Sequence, residues 1–320
     1  MSAAEATRGE LAWLDGRFVP RAELALPVGD AGFVLGATVT EQLRTFAGRL
    51  FLPDDHARRL EESLAVVGIR PAASCGDLLD AAASVATHNH RLAAGATPSS
   101  GPGPDVGVVV FVTPGDLAAQ HGGVGGRPRA AIHSFPLAFA MWADAYDRGV
   151  ALRTVPVTQV PEACWPLRAK VRSRLHYFLA DRRAHAEEPG ARAVIAHGDG
   201  RISETSTANI AIVRNGGVAT PPASDALGGV SLACARRLAA AMDIPWVEQT
   251  LTAVDLAAAD EIFLTSTPNC ILPATRFDGR PVGSGRPGPV YRAILDAWSR
   301  LVSLDIAAQA RACAAAAVPA

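Results

Sequence analysis

The sequence has almost no lysine. Of its thirty lysine and arginine residues, only Lys170 is a lysine. A general preference for arginine explains the missing lysines, but it does not explain why one position kept lysine. An arginine does not lose its proton in a protein, whereas a lysine ammonium can be deprotonated and can act as a nucleophile or a base. Chance survival of one lysine remains an alternative. The other hypothesis is that Lys170 is a Schiff-base lysine.

Several other features are missing as well. The net charge of the 320 residues is -1, which gives no broad electrostatic reason to expect nucleic acid or an anionic membrane as partner. No apolar run approaches the ~18 to 20 residues of a spanning helix, and the N-terminal residues do not resemble a signal peptide. The five cysteines are odd in number and form no CxxC motif. This favours reduced thiols and a cytoplasmic protein.

The remaining pattern predicts two domains. With 49% hydrophobic residues the chain can bury one large core or two ordinary ones. Turn signals at Asp15-Gly16, at 198–200 and at Asn215-Gly216 predict hairpins, and helices are predicted over 53–68, over 76–92 and after Lys170. The pattern changes near residue 140. We therefore predict a small N-terminal α/β domain over 9–140, a larger domain over 141–305 and a frayed tail over 306–320.

Five short motifs surround Lys170 in a fixed order. They are HARRL at 56–60, RLHYFLA at 174–180, RISETSTANIAIV at 201–213, LGGVS at 227–231 and FLTST at 263–267. Their order resembles the fold-type IV, or class IV, aminotransferases, a family that includes branched-chain amino acid aminotransferases, D-amino acid aminotransferases and aminodeoxychorismate lyases. The resemblance extends from about Trp13 to Trp298. It implies a two-domain α/β fold with a larger β-barrel-like domain, pyridoxal 5'-phosphate in the cleft between the domains, and a homodimer.

The resemblance also implies roles for individual residues. Lys170 would bind the cofactor covalently and then move the proton between substrate and cofactor. Glu204 would pair with the pyridine nitrogen, and Arg59 would bind the phosphate in a bidentate manner. Further phosphate ligands would be the amides of Gly229, Val230 and Ser231, the Ser231 hydroxyl, and Thr267. Without the resemblance, Arg59 could be a solvated helix residue, Glu204 a turn carboxylate and Gly228-Gly229 a plain turn.

The substrate-binding residues depart from the family pattern. The segment GATVTEQLRTF keeps Glu41 and Arg44, but Thr40 stands where the family usually has an aromatic residue. Family arginines that bind the substrate carboxylate are missing near VGVVVFVTPG, and Pro268 has no N–H to offer. Arg44, Arg174, Arg127 and Arg129 are alternative anchors. The substrate candidates are therefore Thr40, Glu41, Arg44, Arg174 and Pro268.

These features predict an aminotransferase that acts on an amino acid, branched-chain-like by family default, and a 2-oxo acid. One alternative is a lyase of the aminodeoxychorismate lyase type. The Arg174-Leu175 pair resembles the sequence of the lyases at this place, whereas Glu41 counts against that activity. Others are a D-amino acid or amine transaminase and a cofactor-free scaffold protein. We predict no metal site, because His88 and His90 lie two residues apart on a predicted helix and point to different faces.

Overall fold

The computed structural model describes residues 9–96 and 104–316. The chain divides into two compact units. The first extends to Leu137 and includes Ala169–Ser173, and the second contains Ala138–Arg168 and the chain from Arg174 onward. The sequence places the change near residue 140, but it gives no sign that the five residues around Lys170 belong with the first unit.

The first unit is an antiparallel sheet with helices. Its strands are β1 (Leu11–Leu14), β2 (Arg17–Pro20), β3 (Val39–Phe46), β4 (Arg49–Leu50), β5 (Val106–Thr113) and β6 (Arg129–Pro136), in the spatial order β2-β1-β6-β5-β3-β4. Its helices are α1 (Ala31–Val34), α2 (Pro53–Val67) and α3 (Cys75–Ala96), with 3-10 turns at Arg21–Glu23 and Ala118–Gln120.

Strand β3 contributes to the core of this unit, and all but one of its residues are buried. Val39 and Leu43 are fully buried and belong to one apolar cluster with Leu60 of α2 and residues of α3. Helix α2 begins at Pro53, which suits a first helical position, and ends before Gly68, whose φ of 77° is left-handed. The predicted hairpin at Asp15-Gly16 is confirmed, since β1 pairs antiparallel with β2.

The second unit contains a mixed barrel. Its strands are β7 (Val150–Thr158), β8 (Arg192–Ala196), β9 (Ile202–Thr205), β10 (Asn209–Arg214), β11 (Gly217–Thr220), β12 (Trp246–Glu248), β13 (Glu261–Ser266), β14 (Cys270–Phe277) and β15 (Arg280–Pro281). Six of them follow the order β10-β13-β14-β7-β8-β9, and β9 pairs back onto β10 and closes the ring. The prediction of an α/β protein with a β-barrel-like second domain is therefore confirmed.

Helices complete the second unit: α4 (Ala145–Arg148), α5 (Leu175–Glu187), α6 (Val230–Ala240), α7 (Ala253–Ala257), α8 (Pro289–Leu301) and α9 (Ile306–Ala316), with a 3-10 turn at Phe139–Met141. The prediction of a frayed tail is wrong over α9. Ile306 and Ala310 are buried, and the helix packs on α8 and on the 3-10 turn. Alanine is the best helix former, and this packing supplies the missing stabilisation. Residues 317–320 of that prediction lie outside the described residues.

Over 9–96 and 104–316, no helix combines the length and the apolar character that crossing a membrane requires.

Candidate functional site

Main-chain contacts with β3 and α2 fix the position of Lys170. Val171 forms an antiparallel bridge with Val39. The Lys170 carbonyl accepts a hydrogen bond from the Thr40 amide at 3.0 Å, and the Lys170 amide donates to Oγ of Ser63 at 3.0 Å. The short segment Ala169–Ser173 is thus an added strand-like edge of the first unit, and both main-chain polar groups of the lysine have partners there.

A buried ion pair connects helix α2 to strand β3. Glu41 accepts two hydrogen bonds from Arg59, from Nε to Oε1 and from Nη2 to Oε2, both 2.7 Å long. Nδ1 of His56 lies 2.7 Å from Oε2 of the same carboxylate. Such a bidentate pair is geometrically specific, and it holds the Arg59 guanidinium in one orientation.

The electrostatics of this cluster follow from burial and pairing. Burial by itself would raise the pKa of Glu41, but the Arg59 guanidinium and His56 outweigh it and lower the pKa to about 2. Burial also lowers the pKa of His56. The hydrogen bond to Glu41 and its charge act in the opposite direction but do not outweigh burial, to which the charges of Arg59 and Lys170 add. We infer that His56 is neutral and donates its Nδ1 hydrogen to the ionised Glu41.

Two of the predicted substrate residues are enclosed by the fold. Glu41 is 0% exposed and is occupied by Arg59 and His56. Arg44 is 1% exposed, donates from Nε to the Thr45 carbonyl and lies over the ring of Phe46. Their burial does not fit direct contact with a substrate, and we correct these two assignments: both side chains support the first unit from inside.

The remaining substrate candidates have other surroundings. The Thr40 hydroxyl donates to the Val110 carbonyl at 3.1 Å. Arg129 is not retained as a candidate anchor for the substrate carboxylate, because it forms ion pairs with three aspartates of its own unit, Asp15, Asp30 and Asp116. Arg174, which is half-buried, donates from Nη2 to the Ser206 carbonyl and lies over an aromatic ring with its Cζ 4.6 Å from the ring centroid.

In the second unit, Glu204 of β9 accepts hydrogen bonds from two neutral donors. The Tyr177 hydroxyl donates to Oε1 at 2.7 Å, and Nδ2 of Asn209 lies 3.3 Å from Oε2. Asn209 stands directly opposite Glu204 in the barrel, so their side chains share one face of the sheet. This arrangement suits an ionised carboxylate, because both of its oxygens face donors.

The glycine segment before α6 has a steric reason for its composition. A Cβ on Gly229 would lie 1.9 Å from Oδ1 of Asn209, a distance that no side chain tolerates. Gly229 is the N-cap of α6, and Val230 and Ser231 form its first turn. Thr267 and Pro268 lie in the turn between β13 and β14. A helix N-terminus reached through a glycine that must lack a side chain is an arrangement suited to phosphate.

Each unit contains groups of the kinds that bind pyridoxal phosphate. The first unit contains a lysine with a fixed main chain and an arginine with a fixed guanidinium, and the second contains a carboxylate that accepts hydrogen bonds and a helix N-terminus suited to phosphate. Sequence reasoning missed His56, Ser63 and Tyr177. The first two could have been found from their spacing on α2, since they are three residues before and four residues after Arg59.

Comparisons with known proteins agree with this chemistry. The model of the family described as amino-transferase class IV matches residues 38–277. The D-alanine aminotransferase of Bacillus licheniformis is 27% identical over 295 residues, 92% of this chain and 97% of the relative. The branched-chain-amino-acid aminotransferase of Salmonella typhimurium is 27% identical over 299 residues, 91% of this chain and 92% of the relative.

The fold is similar to solved structures as well. A branched-chain amino acid aminotransferase from T.th., solved with pyridoxamine 5'-phosphate, superposes with a TM-score of 0.79 at 23% identity, and the match covers 92% of this chain and 95% of that chain.

Proposed function

The chain belongs to the class IV aminotransferase family, and we propose that it moves an amino group between an amino acid and a 2-oxo acid with pyridoxal 5'-phosphate as cofactor. The observation that carries the proposal is the placement of Lys170. The only lysine of the chain has both main-chain polar groups bonded, to β3 and to α2, and α2 also carries Arg59. A fixed main chain limits the region that the Lys170 amine can reach, which covalent catalysis requires.

Lys170 and Glu204 would have different roles in the reaction. When bound, the cofactor supplies an electron sink that stabilises negative charge at the α-carbon of the substrate. Lys170 would hold the cofactor covalently and, once displaced by the substrate amine, move the α-proton as a general base and then as an acid. Glu204, which accepts hydrogen bonds from Tyr177 and Asn209, would keep a proton on the pyridine nitrogen.

The cofactor phosphate would be held by one positively charged side chain and by N–H and O–H donors, which carry partial positive charge. Arg59 would contribute its guanidinium, whose orientation the Glu41 carboxylate fixes. The backbone amides of Gly229, Val230 and Ser231, with the hydroxyls of Ser231 and Thr267, would contribute hydrogen bonds at the N-terminus of α6. We retain Arg174, Thr40 and Pro268 as candidates for substrate contact.

The amino donor is proposed at the level of a class. Branched-chain L-amino acids are the default of the family, and D-alanine is the second donor to test, because a D-alanine aminotransferase and a branched-chain-amino-acid aminotransferase are each 27% identical to this chain. A lyase reaction would release its product without any oxo acid acceptor, so omission of the acceptor separates the two reactions.

An absorption spectrum of the purified protein between roughly 300 and 450 nm tests the proposal. We expect a visible band that disappears on borohydride reduction, with the reduced label on the peptide that contains Lys170. L-leucine and D-alanine are then added separately to find which donor shifts the band. The variant Lys170→Ala should show neither the label nor turnover. A wild-type protein that stays colourless with added pyridoxal phosphate would contradict the proposal and favour the scaffold alternative.

We also propose that two copies of the chain associate. Support comes from three large apolar side chains at the start of α5, Leu175, Phe178 and Leu179, which are 69%, 60% and 42% exposed and follow a spacing of three and four. Light scattering should give twice the mass of 33.2 kDa. Phe178→Glu should lower it to the monomer mass, while Val254→Glu, at an isolated exposed valine, should not. A monomeric wild-type protein would refute the association.

A further inference from the structure

A chain of hydrogen bonds with a fixed direction leads to Glu204. The backbone N–H of Val160 donates to Oε1 of Gln159 at 2.9 Å. An N–H can be accepted only by the amide oxygen, so this contact settles which end of the Gln159 amide is which. The amide nitrogen of Gln159 therefore faces Tyr177 and Ser203, at 3.1 and 3.0 Å from their hydroxyl oxygens.

The direction continues through Tyr177. Because the tyrosine oxygen accepts the hydrogen of Gln159, its own hydrogen is left for Oε1 of Glu204, 2.7 Å away. Gln159 is 3% exposed, so water does not compete freely for its amide. The second oxygen of the Glu204 carboxylate also faces a donor whose orientation is fixed. Nδ2 of Asn209 donates to the Leu227 carbonyl at 2.8 Å, which fixes that amide, and lies 3.3 Å from Oε2.

The Tyr177 ring is itself held in place. Its centroid lies 3.9 Å from that of the His176 ring and 4.6 Å from Cζ of Arg174. Burial, and then the negative charge of Glu204, raise the pKa of the Tyr177 hydroxyl well above its usual value. The hydroxyl therefore keeps its proton and remains a donor at neutral pH.

We infer that Tyr177 is a positioning residue that fixes the Glu204 carboxylate and lowers its basicity, so that the proton shared with the pyridine nitrogen stays on the nitrogen. The inference rests on the proposed function. A carboxylate that accepts a strong hydrogen bond from a neutral donor is a weaker base than one without it. Without the Tyr177 donor, Glu204 would be more basic and would draw the shared proton toward its own oxygen, and the cofactor would lose part of its ability to accept electrons.

The test uses the holoenzyme reconstituted with pyridoxal phosphate labelled with 15N in the ring. In Tyr177→Phe we expect the 15N resonance to move from the position of a protonated nitrogen toward that of a neutral, hydrogen-bonded one. The kcat should fall about 10- to 100-fold, as for loss of a hydrogen bond to a charged group, with the KM unchanged. Gln159→Leu keeps the Tyr177 hydroxyl but removes the donor behind it, together with the contacts of Gln159 to Ser203 and Val160. It should shift the resonance in the same direction by less.

The matched control is Tyr291→Phe. Tyr291 is a buried tyrosine of the second unit, and its hydroxyl donates to the Tyr146 carbonyl at 3.2 Å. Its replacement measures the effect of removing a tyrosine hydroxyl that does not contact Glu204. This variant should keep the wild-type resonance. Equal resonances for Tyr177→Phe and Tyr291→Phe would overturn the inference. If Tyr177→Phe fails to fold, an unchanged resonance in Gln159→Leu would overturn it equally. Failure of the wild type to bind the labelled cofactor would instead refute the proposed function.

Discussion

Replacing Glu41 by glutamine should destabilise the first unit by about 3 kcal/mol. The fold lowers the pKa of this carboxyl from 4.5 to about 2, and at about 1.4 kcal/mol for each pH unit this amounts to about 3 kcal/mol in favour of the ionised form. Removal of one partner from a buried ion pair costs a similar amount, about 3 to 5 kcal/mol, because the other charge stays buried. Glutamine keeps the shape but leaves Arg59 uncompensated.

Urea unfolding at pH 7, followed by circular dichroism, measures this loss. Hydrogen exchange should place it in peptides of β3 and α2, with peptides of β10 and β13 unchanged. Glu62→Gln, at an exposed position of the same helix, is the control and should change stability by less than about 0.5 kcal/mol. Equal midpoints for the two variants would refute the reasoning.

The same variant has a pH signature. The folded-state pKa of Glu41 lies below the unfolded one, so its contribution is fully present above pH 4.5 and is lost as the pH falls toward 2. The difference in unfolding free energy between wild type and Glu41→Gln should therefore be constant above that pH and shrink below it. A difference that persists undiminished near pH 2 would show that charge is not the cause.

Three further substitutions test single contacts. Gly229→Ala should weaken binding of pyridoxal phosphate in an absorbance titration, because the added Cβ would meet an amide oxygen at 1.9 Å, whereas Gly228→Ala has space and should bind normally. Glu261→Gln should lower stability to urea by about 1 to 2 kcal/mol, since the carboxylate accepts two backbone N–H groups at the start of α8, each at 2.9 Å. Ser63→Ala should cost about 1 to 3 kcal/mol in the same assay, because the partly buried Lys170 amide would lose its acceptor. A neutral result would show that water replaces the hydroxyl.

Local features of the fold could be predicted from the sequence because local chemistry determines them. The hairpin at Asn215-Gly216 forms because both residues adopt positive φ, 52° and 77°, which asparagine and glycine tolerate best. The contacts of the site could not be predicted in this way. Tyr177 and Glu204 are 27 residues apart, and the packing of α5 on the barrel strands determines which carboxylate oxygen the tyrosine hydroxyl faces. The ordering of α9 also depends on packing against distant residues, which alanine-rich sequence alone does not reveal.

One face of α2 shows how a buried polar pattern could have been interpreted from sequence. Its buried residues are His56, Arg59, Leu60, Ser63 and Leu64, which recur at intervals of three and four and form a single stripe. Frequency alone assigns an arginine on a helix to the surface. Position within the stripe assigns it to the interior, where a charge needs a partner from another element. That partner is Glu41 of β3, and the serine one turn further on accepts the amide of Lys170. Polar residues that keep the period of an apolar stripe therefore indicate an internal site on this helix, and that indication does not depend on any resemblance between families.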